Sequence, residues 1–176
     1  MNRFAMLALV LVFGMACDDS PTSPSDPNVV RFTAILLPGN EVPPVTNADA
    51  SASGTMQMTM TVTRDSASNI TGATYDFVVN MTGFPANTTL TGAHIHNGPA
   101  LVNAGVVVGL PLTASDTALP SGQGTLTKNG LQSTSSTVPP ATVAQNIFNN
   151  PGGNYFTVHT QINGGGAIRG QLVRSN

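Results

Sequence analysis

The sequence predicts an all-β fold, a single antiparallel Greek-key sandwich of about eight strands with one short helix. Short runs of apolar and β-branched residues are separated by Gly, Pro and Asn at close intervals, as in strands joined by turns. Only 8% of the 176 residues are charged, and 18 Gly and 13 Pro supply turns. Such a chain has little material for solvated helices, so a helical bundle is excluded.

Eight segments have the strand pattern and one has a helical pattern. The predicted strands are residues 30–37, 54–64, 73–81, 91–96, 105–112, 122–127, 155–162 and 167–173. The predicted helix covers residues 141–149. Pro139 and Pro140 lie at its start and Gly152 follows its end, an arrangement typical of helix boundaries.

The N-terminus has the pattern of an export signal. Arg3 precedes an apolar run over residues 4–13, which is too short to span a bilayer, and small residues then lead to Cys17. Residues 13–17 resemble the lipobox of bacterial lipoproteins, with Gly14 where an aliphatic residue is usual. The alternative is a plain signal peptide with an incidental cysteine.

On the lipoprotein interpretation, residues 1–16 are a signal peptide and Cys17 is the lipidated N-terminus of the mature chain. Residues 17–28, rich in Pro, Ser and Asp, form a tether, and residues 29–176 form the domain. We therefore expect an exported protein of a bacterial cell envelope, anchored to a membrane through its lipid.

Charge and cysteine content exclude several classes of function. Six basic and eight acidic residues give a net charge of −2, so no dense basic face for nucleic acid is expected. One cysteine excludes an intramolecular disulfide and a cysteine zinc site. A Gly-x-Ser-x-Gly motif is absent from the sequence, no catalytic residue stands out, and we expect a protein without enzymatic activity.

Three methionines alternate with polar residues in the second predicted strand. Met56, Met58 and Met60 therefore lie on one face. Thioethers are soft ligands that suit copper(I). A core position is the preferred interpretation, because Val62 continues the same face and the opposite face is polar.

The three histidines are the candidate metal ligands. His94 and His96 lie two apart in a predicted strand, which puts both imidazoles on one face with their Cα atoms about 7 Å apart. His159 lies in a later strand, and whether it meets the other two depends on strand order. Three imidazoles suit copper, and less readily zinc. The alternative is a structural role in which their nitrogens bond to backbone and fix the loop 97–99.

Four segments, residues 40–44, 92–98, 155–160 and 166–172, have the order and approximate spacing of the motifs of a known module. Over residues 31–173 the chain resembles the CHRD domain, which is named after chordin and is common in exported bacterial proteins. The positions that match its motifs are Glu41, Pro43, Pro44, His94, His96, His159 and Arg169. The resemblance implies an immunoglobulin-like sandwich and says little about activity, although the animal homologue binds growth factors.

The same histidines are similar, more faintly, to the copper half of Cu/Zn superoxide dismutase, which is also a Greek-key sandwich. This resemblance implies that His94, His96 and His159 bind copper, with Arg169 beside an open position to attract an anion. The bridging histidine, the zinc ligands and the disulfide of that enzyme have no counterpart here. Copper binding without efficient dismutation is the most that the similarity implies.

Glu41 and Arg169 also allow a structural interpretation. They are among few charges in the domain, so they are able to pair with each other or with the histidines in a polar cluster at one end of the sandwich. We expect a structural role for Arg169, because buried arginines are mostly bonded within the fold.

Two functions follow from these patterns. The first is an envelope lipoprotein whose sandwich is a non-enzymatic binding module for an unidentified envelope protein or polymer. The second is an envelope protein that binds copper, or less readily zinc, at the three histidines. No cofactor is assigned with the first function, and copper is the candidate with the second.

Overall fold

The computed structural model describes residues 26–175 as a sandwich of two antiparallel sheets, which confirms the predicted all-β class. The predicted signal peptide and Cys17 lie outside the described residues, as does most of the tether. None of the helices in the described part is long and apolar enough to cross a membrane.

Within residues 26–175 the chain forms ten strands and two α-helices. The strands are β1 Val29–Leu36, β2 Ser53–Arg64, β3 Ile70–Thr82, β4 Thr88–His96, β5 Val106–Gly109, β6 Ala118–Leu119, β7 Gly124–Leu131, β8 Tyr155–Thr160, β9 Ile168–Gln171 and β10 Val173–Arg174. The helices are α1 Ala114–Thr117 and α2 Pro140–Asn149.

The strands are divided between two sheets. The first sheet has the order β10-β1-β2-β3-β7, so the last strand returns beside the first of three consecutive strands, as in a Greek key. The second sheet has the order β5-β4-β8-β9, and β6 pairs with one end of β4. Strands β4 and β8, which carry the three histidines, are therefore neighbours.

Period-two alternation decides which side chains form the core between the sheets. Met56, Met58 and Met60 are fully buried, and Met58 lies opposite Phe32 of β1 and Phe77 of β3. The prediction that the methionines belong to the core is confirmed, and their thioethers face hydrocarbon rather than solvent.

The strands differ from the predicted ones mainly near the C-terminus. Residues 167–173 form two strands instead of one, because the chain changes sheets at the buried Leu172. The Leu172 N–H donates to the Asn154 carbonyl, and Val173 pairs with Thr33 of β1 in the other sheet. The short elements β6 and α1 were not predicted. Helix α2 begins one residue earlier than predicted and buries Val143, Ala144 and Ile147.

Candidate metal centre

The three histidines lie on the outer face of the second sheet. Ile95, Phe156 and Val158 are fully buried and point into the sandwich, so the alternate positions of β4 and β8 point outward. In the antiparallel register His159 lies opposite Gly92, and His94 lies opposite Thr157. This register sets the His159 ring diagonally beside the His94 ring.

The structure brings one nitrogen from each histidine into a single cluster. These three atoms lie within 4.8 Å of one another, and His94 Nδ1 is 3.1 Å from His159 Nε2. Two nitrogens bonded to one ion at about 2.0–2.1 Å lie about 2.9 Å apart at a right angle and about 3.4 Å apart at the tetrahedral angle. The His94–His159 pair therefore already has the spacing of two ligands, and the His96 nitrogen has to approach by at most about 1.4 Å to reach the tetrahedral spacing.

His96 has one nitrogen bonded and the other free. Its Nδ1 lies 2.8 Å from the Ala104 carbonyl oxygen, which only accepts, so this nitrogen carries the proton. The ring stacks on Tyr155 with centroids 4.7 Å apart. Its Nε2 is buried and has no hydrogen-bond partner among the described residues. A buried nitrogen lone pair without a partner is unusual, and a metal ion would satisfy it.

His159 is held in the same way, whereas His94 is not. His159 Nδ1 donates to the Gly164 carbonyl oxygen at 3.0 Å, which leaves Nε2 unprotonated and facing His94. A ligand histidine usually donates its second ring nitrogen to a carbonyl or carboxylate. The loops after β4 and after β8 each supply such a carbonyl, so two of the three rings are pre-oriented.

Burial keeps the imidazoles neutral. It lowers the pKa of all three histidines, and together with the neighbouring His159 and His96 it lowers the pKa of His94 to about 4. The neutral ring is the form that binds metal, so at neutral pH an ion does not have to displace a charge-carrying proton. A groove of about 510 Å³, lined in part by His94, Gly109 and Thr134, opens beside the cluster and gives an ion a path to it.

Arg169 is buried, at 1% exposure, and makes three hydrogen bonds to the protein. Its guanidinium donates to the carbonyl oxygens of Pro99 and Val102 and to Asn103 Oδ1, and it lies 3.4 Å over the Tyr155 ring. These bonds hold the loop 97–105, which also carries the carbonyl that binds His96. This arrangement supports the structural role expected for Arg169, since its donors face the loop and not an open ligand position.

Glu41 lies close to this cluster without pairing to Arg169. Within residues 26–175 the one ion pair joins Lys128 to Asp116. Glu41 instead accepts a hydrogen bond from Thr157 Oγ1 at 2.6 Å, and burial raises the pKa of its carboxyl. The expected pairing of Glu41 and Arg169, with each other or with the histidines, is not found among the described residues, because Glu41 bonds to Thr157 and Arg169 to the loop 97–105. The adjoining Pro43 and Pro44 are exposed.

Sequence reasoning missed several residues that shape the cluster. Tyr155 and Thr157 share the outward face of β8 with His159, a placement that the alternation of the strand signals. Gly92 is on the same face of β4 as His94, again at a spacing of two. Ala104, which holds both His96 and the Tyr155 hydroxyl through its backbone, has no sequence signal.

Comparison with models of protein families shows the family to which the chain belongs. The family model of the CHRD domain matches residues 32–172. The chain belongs to the CHRD family. No curated protein and no solved structure matches it significantly, and the fainter similarity to superoxide dismutase is not supported by these comparisons. The histidines, Glu41 and Arg169 all lie within the CHRD domain.

Proposed function

We propose that this CHRD protein binds one transition-metal ion, copper before zinc, through His94, His96 and His159. The observation that carries the proposal is the buried His96 Nε2, which lacks a partner and lies beside two nitrogens already spaced as ligands. The donor set is three neutral imidazoles, which suit copper and zinc, and copper(II) exceeds zinc in general affinity for such sites. A role without catalysis agrees with the generally non-enzymatic character of CHRD domains.

The proposal is tested by titrating the chain from Asp18 onwards with copper(I), copper(II) and zinc. We expect one ion per chain, measured by calorimetry, and a rise in the thermal midpoint. Ligand at 100 times Kd adds about 2.7 kcal/mol to the stability, which corresponds to about 5–10 °C for a domain of this size. Absence of both signals with every ion would overturn the proposal and make the histidines structural.

Gly92→Ala is expected to weaken metal binding while the fold is kept. A Cβ at Gly92 would lie 2.8 Å from Cε1 and 3.3 Å from Nε2 of His94, so the ring has to move away from its present position. Disturbing the shell around a ligand costs roughly 10- to 100-fold in metal affinity. Gly72→Ala, in β3 of the other sheet, is the control and should leave the affinity unchanged. Equal Kd values for both variants would contradict the prediction.

We also propose that the protein is an exported lipoprotein, anchored to a membrane of a bacterial envelope through Cys17. The support is the sequence of residues 1–28, which joins a signal-peptide pattern, a lipobox-like segment and a polar tether. The tether is long enough to hold the domain clear of the headgroups, since eleven extended residues reach about 35 Å.

Cys17→Ala is expected to release the protein from the membrane fraction. Two or more acyl chains hold a lipoprotein firmly, and their attachment needs the cysteine thiol. Fractionation of cells that express the parent or the variant measures the effect, and incorporation of labelled fatty acid into the parent alone is the companion readout. A variant that stays in the membrane fraction and a parent without label would contradict lipidation.

A binding module for an envelope protein or polymer is the second candidate. It is favoured by a cleft of about 420 Å³ between the proline-rich loop 41–47 and the glycine-rich turn 162–166. The cleft is lined by Glu41 and three asparagines, Asn47, Asn103 and Asn163, so its wall is largely polar. This candidate takes precedence if the metal titrations are negative.

A further inference from the structure

The histidine cluster provides no negative charge for a bound ion. Among the described residues its members are His94, His96 and His159 alone, without a carboxylate or thiolate. Three neutral imidazoles leave the full charge of the ion uncompensated. The free energy of burying an ion grows with the square of its charge, so a divalent ion loses about four times as much hydration energy as a monovalent one.

A buried positive charge lies on the same face of the sheet. Strand β8 is between β4 and β9, so Tyr155 separates His96 from Arg169. The imidazole stacks on the phenol ring with an interplanar angle of 3°, and the guanidinium lies 3.4 Å over the same ring. An arginine side chain stays charged in proteins, and this one is shielded from solvent.

From this arrangement we infer that the site prefers copper in its singly charged state, copper(I), over copper(II) and zinc, and that the buried charge of Arg169 contributes to the preference. The inference rests on the proposed function. Repulsion from the guanidinium acts on each unit of charge, so it is twice as large for a divalent ion. The buried His96 Nε2 acts in the same direction, because water does not reach this donor to hydrate the ion.

Glu41 is the charged group that opposes Arg169. Its carboxylate is 5% exposed and bonded to Thr157, which lies opposite His94 in the register. When ionised, this carboxylate favours the divalent ion. Removing the charge of either residue therefore tests the same electrostatic effect, with opposite expected signs. Neither residue is a proposed ligand of the ion.

The experiment measures the affinities of the chain from Asp18 onwards for copper(I), by competition with a chromophoric chelator under anaerobic conditions, and for copper(II). The reduction potential of the bound copper is the independent readout, since a tenfold change in the ratio of affinities is about 59 mV for one electron. We expect the parent to bind copper(I) more tightly than copper(II), with a potential above that of the aqueous ion.

The variants Arg169→Lys and Arg169→Gln form a matched pair. Both lose the forked set of hydrogen bonds to the loop, but only Arg169→Gln loses the charge. We expect the copper(I) to copper(II) affinity ratio of Arg169→Gln to fall about tenfold below that of Arg169→Lys, as one unit of charge across a ring in a protein interior predicts. Glu41→Gln should raise the ratio above that of the parent.

The outcomes separate the inference from the proposed function. Tighter binding of copper(II) or zinc than of copper(I) by the parent overturns the inference and leaves metal binding in place. Equal reduction potentials of the copper bound to Arg169→Lys and to Arg169→Gln would show that the charge of Arg169 does not contribute to the preference. If neither Arg169 variant folds, the comparison of the parent with Glu41→Gln still tests the electrostatic effect. Glu41→Gln is expected to fold because it keeps an acceptor for Thr157. Failure of every ion to bind overturns both proposals.

Discussion

His94→Ala is expected to abolish metal binding and leave the fold intact. Of the three proposed ligands His94 contributes least to the fold, because its one hydrogen bond is to His159, whereas His96 and His159 each bond to a loop carbonyl. Its removal deprives the ion of one of three donors and widens the site next to Gly92. The copper-dependent rise in thermal midpoint, about 5–10 °C for the parent at 100 times Kd, should vanish.

The midpoint without metal is the internal control for this variant. We expect it to differ from that of the parent by only a few degrees, since His94 is half-buried and its loss opens no cavity inside the sandwich. Thr91→Ala, which shortens an exposed side chain of the same strand β4, should keep the copper response. A His94→Ala protein that binds copper as tightly as the parent would refute the three-histidine site.

The sequence predicted the faces of the strands but not which strands are neighbours. Alternation was enough to place Met58 in the core and to put His94 and His96 on one face of their strand, because it depends only on the geometry of each strand. Convergence with His159 depends on β8 pairing with β4 across an intervening segment of 58 residues between Asn97 and Asn154. No local pattern determines a contact at that sequence separation.

The contacts around the histidine cluster also could not be predicted from local sequence patterns. Arg169 was expected beside an open ligand position or in a structural role, and its donors are used by three acceptors of the loop 97–105. That loop has no periodic pattern, and several of the bonds that hold it, among them those to Arg169 and from Ala104 to Tyr155, involve residues distant in the sequence. The family resemblance is confirmed over residues 32–172, but the contacts among the motif residues required the tertiary structure.

Gly170→Ala is expected to be the most destabilising single substitution considered. Strand β9 meets the end of β1 here, where Leu37 and Arg169 exchange two backbone hydrogen bonds of 3.0 and 3.2 Å. A Cβ at Gly170 would collide with the carbonyl oxygen of Ile35 and lie 2.8 Å from its carbon. Both partners are backbone, so no side-chain rotation relieves the overlap, and we expect a loss of about 3 kcal/mol or more.

Thermal or denaturant unfolding measures this loss, which corresponds to a fall of about 6–12 °C in the midpoint. Gly165→Ala is the matched control, since a Cβ there has no atom within 4 Å and the expected change is within about 0.5 kcal/mol. Because the junction at Gly170 also positions Arg169 over Tyr155, the variant should lose copper affinity as well as stability. A midpoint within 2 °C of the parent, roughly the effect of 1 kcal/mol, would show that β1 and β9 can move apart at little cost in stability. The close approach of the two strands would then not explain the glycine that follows Arg169.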